Sequence, residues 1–235
     1  MVVLGVDRAA MSVPDPDKST ECEKPSLRGV SHQYAFFVSV VTGFALVLLA
    51  TGGPLRTGAI VYAVALSGLL GTSALYHRID WKTASSRAWM RRLDHIMIFV
   101  LIAGTFTPFA YLNLDSARNK VLLGVVWGFV LVGILIKILW LTAPRWVTAV
   151  TYVIVGCVGG AAFPEVLEQA GPACVTLLVS GGVLYIAGAC IYALKRPDPW
   201  PATFGYHEIF HALVLVASAL HYSAVALVVQ SSGSV

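Results

Sequence analysis

Seven apolar runs recur along the chain, at 33–50, 59–76, 96–111, 121–141, 147–163, 173–194 and 206–229. Within each the apolar residues are continuous, whereas barrel strands alternate apolar and polar positions over about ten residues. Runs of about twenty residues cross the roughly 30 Å hydrocarbon core as helices. Only helices and closed barrels satisfy every backbone group there. The pattern predicts an all-α membrane protein, a seven-transmembrane helix bundle at 33–229. A largely disordered polar tail is expected at 1–32 and a short tail at 230–235. The third and fifth runs are short and are expected to extend by a few residues.

Composition agrees. Of 235 residues, 57% are hydrophobic and 12% charged, against about 45–50% and 25% in soluble domains. With a mean hydropathy of +0.78, the excess cannot be hidden in one soluble core. An ordinary soluble domain, a disordered chain and a nucleic-acid binder are excluded. Residues 1–32 lack the apolar core of a cleavable signal peptide and carry Asp7, Asp15, Asp17, Glu21 and Glu23, so the first span is expected to act as its own insertion signal. Cys22, Cys157, Cys174 and Cys190 form no Cys-x-x-Cys pair and read as small packing residues rather than a disulfide or zinc framework.

Charge then orients the bundle. With the N-terminus cytoplasmic, thirteen basic residues fall on the inner side and three, Arg56, Arg118 and Lys120, on the outer. The positive-inside rule therefore puts the N-terminus in the cytoplasm and the C-terminus outside, in a multi-pass protein of the cell membrane. Trp81, Trp89, Trp140, Trp146 and Trp200 fall near the inner boundaries, as interfacial belt residues do. Arg87, Arg91 and Arg92 read as a stop signal and snorkelling anchor, with lipid-phosphate contact as the alternative. Membrane lipids are the expected partners; the oligomeric state is not legible.

Ionisable groups at membrane depth are expensive and mark function by default. Ser73 and His77 stand four apart at the inner end of the second span, and His207 and His211 four apart at the start of the seventh, each pair on one helix face. Asp94 opens the third span. Three imidazoles, a carboxylate and a hydroxyl are thus expected at one depth. Three protein ligands with a fourth position left to water is the catalytic zinc arrangement, although imidazole also suits iron, nickel or copper. The bland reading, boundary residues hydrogen-bonded between helices, fits His32 and His95 better. His95 is turned about 100° from Asp94, and His221 lies about 21 Å beyond His207 along the helix, as a satisfied core residue. Glu208 reads as a helix-start acid meeting a lipid-surface or loop cation, and Thr105 as part of an inward polar stripe. Gly104, Gly156, Gly159 and Gly160 read as close-packing positions.

At these residues the sequence resembles the hemolysin III proteins, bacterial members of the progestin and adipoQ receptor superfamily. The strings are Ser73-Ala-Leu-Tyr-His77, Leu93-Asp94-His95 leading into Ala103-Gly104-Thr105-Phe-Thr-Pro108, and Gly205-Tyr-His207-Glu208-Ile-Phe-His211. Counting back from His32, Arg28 and Pro25 stand where many members carry Asn and Glu; residues 24–32 follow the Lys-Pro-x-x-Arg-Gly-x-x-His subtype instead. The resemblance implies a seven-helix bundle with zinc held by His77, His207 and His211 near the inner face. It also implies that Asp94 holds water at the metal, with Ser73 nearby. Amide-lipid hydrolysis of the ceramidase kind and regulation of membrane lipid composition are implied too.

The expected function is an intramembrane zinc-dependent hydrolase of lipid amide or ester bonds, with Asp94 and Ser73 catalytic. The alternatives are a membrane-state sensor or regulator with structural zinc, and a hemolysin-type pore. A pore needs a continuous polar stripe, and the outer halves of the spans are almost free of charge. A retinal photoreceptor is excluded because the seventh span has no lysine.

Overall fold

A computed structural model describes residues 25–50, 52–113, 116–140 and 144–231. Those residues are all-helical, with no β-strand beyond an isolated bridge between Trp200 and Phe204. The helices are α1 (Val30–Leu49), α2 (Gly53–Arg78), α3 (Ala84–Ala110), α4 (Ala117–Leu139), α5 (Arg145–Gly159), α6 (Phe163–Leu194) and α7 (Tyr206–Ser231). Expectations for residues 1–24, Cys22 included, and for 232–235 lie outside the described residues.

Six stretches of the described residues are long and apolar enough to cross a membrane. Seven runs become six because α5 has 15 residues and rises only about 22 Å. It continues through a 3-10 turn at Gly160–Ala162 into α6, so that Trp146–Leu194 forms one apolar stretch of 49 residues. That stretch is bent within α6, where Gly171 adopts φ 79° and ψ 174° ahead of Pro172. Proline removes a helical N–H and disfavours the helical region for the residue before it, and glycine takes the positive φ without a Cβ clash.

α3 begins ten residues before Asp94, so the basic segment expected as a loop is helical. Thr83 caps it, its hydroxyl accepting from the Ser86 N–H at 3.1 Å. Arg92 then lies over the Trp89 ring at 4.7 Å.

α2 packs along α1 and α3, α4 along α3, and α6 along α7. Tyr62, Phe99, Val126 and Val225 are fully buried between helices, while Val41, Phe44, Val64 and Leu139 point outward. An apolar exterior supplies no hydrophobic drive between helices, so packing and interhelical hydrogen bonds hold the bundle. α7 carries several of those bonds: Tyr222 donates to Thr42 O on α1 at 2.9 Å, and Tyr185 of α6 meets Ser218 Oγ at 2.8 Å.

Small residues permit the closest approaches. A Cβ on Gly58 would lie 2.8 Å from Pro108 Cα, and one on Gly104 2.6 Å from Ala65 Cβ. Gly156 and Gly160 do not play that part: nothing lies within 4 Å of where a Gly156 Cβ would stand, and one on Gly160 would meet only the Phe163 ring three residues on, at 3.7 Å. Cys174 is buried as expected of a packing residue, but Cys157 and Cys190 are exposed.

Candidate metal centre

The C-terminal turn of α2, the first half of α3 and the first turns of α1 and α7 meet at one end of the bundle. His77 stands at the end of α2, and His207 and His211 occupy successive turns of α7 on one face. One ring nitrogen from each of the three lies within 4.8 Å of the others. The His207 and His77 Nε2 atoms are 3.2 Å apart. His77 and His211 are buried and His207 half-buried. Asp94 stands beside them, its Oδ2 4.0 Å from His77 Nε2 and 3.9 Å from His95 Nδ1. The five residues singled out from sequence are therefore neighbours in space.

Ser73, one turn before His77, is buried and lines the same space as the Asp94 carboxyl. It also lies 2.9 Å from His32 Nδ1. A hydroxyl has one proton to give. If Ser73 turns that proton toward Asp94, His32 donates its Nδ1–H to Ser73 Oγ. His32 further stacks on His211, with ring centroids 3.8 Å apart and planes 9° from parallel.

His32 is thus an inner neighbour of the cluster, which the sequence reading did not find. Its signal lies in the string Arg28-Gly29-Val30-Ser31-His32. Arg28 forms an ion pair with the buried Glu208, whose other oxygen accepts from the Gly205 N–H at 2.9 Å. That is the loop cation anticipated for Glu208. Gly29 adopts φ 77°, and a Cβ there would fall 2.5 Å from His77 Cβ. The turn ahead of α1 can lie against His77 only with glycine at this position.

The remaining histidines keep protein partners. His95 Nδ1 is 2.7 Å from Arg91 O, one turn back, and its Nε2 faces Tyr192 Oη at 3.4 Å. His221 Nε2 meets Leu178 O at 3.0 Å, far from the cluster as its position in α7 requires.

The cluster opens into a cavity of about 790 Å³, within the range of roughly 300–1,000 Å³ typical of small-molecule sites. Phe106, Phe109, Leu178 and Val214 line it, with Thr105 adding one buried hydroxyl, and it reaches His221 at its far end. Gly156, Gly159 and Gly160 border this space, which is what their missing side chains leave open. Val179, Val183 and Ile186 of α6 line the cavity and are themselves exposed.

The residues present fit a metal ion. Three imidazoles converge, a carboxylate stands just beyond them, and no thiolate is among them. The buried His211 Nδ1 has no hydrogen-bond partner, and a buried ring nitrogen left unpaired is costly unless something electrophilic meets the ring. Nitrogen donors backed by a carboxylate suit a borderline divalent cation. Elemental analysis checks the assignment. About one metal ion per chain is expected in the purified protein and essentially none in His211→Ala; equal metal in both would exclude the cluster.

A model of the family described as "Haemolysin-III related" matches residues 20–222. The chain is 31% identical over 159 residues to a protein named "Hemolysin-3 homolog" from Bacillus subtilis (strain 168), covering 68% of this chain and 71% of that one. It is 30% identical over 174 residues to "Hemolysin-3" of Bacillus cereus, covering 74% and 76%. Similarity extends to "Adiponectin receptor protein" of Drosophila melanogaster, 30% identical over 170 residues, covering 65% of this chain and 38% of that protein. With the family model spanning nearly all of the helical region, and bacterial and animal relatives alike, this chain belongs to the hemolysin III family of the progestin and adipoQ receptor superfamily.

Proposed function

We propose that this protein is an intramembrane zinc-dependent hydrolase of lipid amide or ester bonds, acting at the cytoplasmic face of the cell membrane. The observation that carries the reading is the placement of three imidazoles and one carboxylate at the polar head of a largely apolar cavity. His77, His207 and His211 would hold the zinc, which supplies Lewis acidity to polarise a carbonyl and acidify water.

The chain's own residues account for the rest. The Asp94 carboxylate takes a proton from the attacking water and returns it to the leaving amine or alcohol, as a general base and then acid. Ser73 would donate to Asp94 and fix its rotamer, and His32 holds Ser73 in turn. The apolar walls hold an acyl chain and exclude bulk water. Exposed Val179, Val183 and Ile186 give that chain a way in from lipid.

Topology follows from length and charge. A straight helix of 49 residues would extend about 73 Å, more than twice the roughly 30 Å core. We read Trp146–Leu194 as two crossings folded back near the 3-10 turn and Gly171, seven in all. The basic bias puts the histidine end inside. A phosphatase reporter fused after Val235, active only outside the cytoplasm, is expected to be active; an inactive one would reverse the assignment.

Asp94→Asn is expected to keep its zinc and to lose lipid turnover by about 100-fold or more. The assay is release of fatty acid from a panel of ceramides and glycerolipids in vesicles. Full turnover by Asp94→Asn would overturn the assigned chemistry. A zinc-loaded wild type inert on the whole panel would leave the regulator with structural zinc.

A further inference from the structure

Lys137 lies in the last turn of α4 and is 4% exposed. Its ammonium donates to Thr148 Oγ1 of α5 at 2.6 Å. An ammonium has three N–H donors, and one hydroxyl answers one of them without offering a countercharge. Among the described residues, no carboxylate lies within 4.0 Å of it. Taking a cation out of water without a counterion costs more than a single neutral hydrogen bond returns.

The cost has a way to be offset, because Lys137 lines the same cavity as the histidine cluster. It enters from the α4–α5 side, whereas the histidines enter from α2 and α7. Arg91, exposed on α3, lines the cavity as well and adds a second positive charge. Beyond these groups the walls turn apolar, with Phe106, Val126 and Leu178. A buried cation at the head of a long apolar space is complementary to one kind of molecule: a hydrocarbon tail ending in an oxyanion.

We propose that Lys137 is the anchor of an anionic-amphiphile site, binding the carboxylate or phosphate of a single-tailed lipid whose chain lies in the cavity. Thr148 holds the ammonium in position, and Arg91 draws the headgroup toward it. The inference stands without hydrolysis, since it concerns binding alone.

The test is equilibrium binding to the full-length protein in phosphatidylcholine nanodiscs, with palmitate, palmitoyl-lysophosphatidate and neutral monopalmitoylglycerol as probes. Lys137→Met is expected to weaken one or both anionic probes by about tenfold or more, the scale of a lost hydrogen bond to a charged group, and to leave the neutral probe unchanged. Thr148→Val, which keeps the ammonium but removes the bond that positions it, is expected to weaken the anionic probes less than Lys137→Met does. Tighter wild-type binding of palmitate identifies a carboxylate amphiphile as the source of the oxyanion, and tighter binding of the lysophosphatidate a phosphate headgroup. Unchanged anionic binding in Lys137→Met would overturn the proposal. So would equal loss of the neutral probe, which would make Lys137 a packing residue. Loss of palmitate in His207→Ala with monopalmitoylglycerol retained would put the headgroup on the histidines and overturn it too.

Discussion

A polar group carried into hydrocarbon must find its partner inside the protein, and the interior polar contacts of this bundle follow from that constraint. At mid-depth the answer is a set of closed pairs: Tyr222 with Thr42, Tyr185 with Ser218, His221 with Leu178. Each joins α7 to another helix and leaves nothing to spare. At the histidine end the pairing is incomplete at His211. Three imidazoles face one another, and a ring nitrogen of His211 has no acceptor or donor to meet. A structural network would have ended as the mid-depth ones do. Three imidazoles and a carboxylate gathered at one depth are the donor set that an ion-binding site offers.

The fold supplies the rigidity such a site needs. The Arg28–Glu208 pair ties the turn ahead of α1 to the first turn of α7, so two segments 180 residues apart share one anchor. Gly29 brings that turn against His77, and His32 then packs flat on His211. The cluster is therefore braced from α1, although α1 contributes none of the three converging histidines. Ser73, held by His32, lines the same space as Asp94 and carries the brace toward the carboxylate.

Much of this was legible in the sequence for a simple reason. In a chain with so few charged residues, His77, Asp94, His207 and His211 stand out, and i, i+4 spacing fixes which of them share a helix face. What was hidden is tertiary. Nothing local in the sequence says that His32 stacks on His211, or that Arg28 is the cation that meets Glu208. The early start of α3 was missed because its first turns are basic and amphipathic, so hydropathy ends where the helix does not. The shortness of the fifth run is legible, but its continuation through the 3-10 turn into α6 and the break at Gly171 are not, because apolar runs record composition and not the path of the backbone. Gly156 and Gly160 show the same limit from the other side: a missing side chain can admit a neighbouring helix or leave a cavity, and the sequence is identical in both cases.

The central claim is that His77, His207 and His211 share one zinc ion at this end of the bundle. Zinc-edge X-ray absorption of the purified, membrane-extracted protein tests it most directly. The account predicts a first shell of about three imidazole nitrogens at roughly 2.0–2.1 Å with a light oxygen donor and no sulfur. A sulfur shell near 2.3 Å, or a spectrum unchanged in His77→Ala, would contradict it.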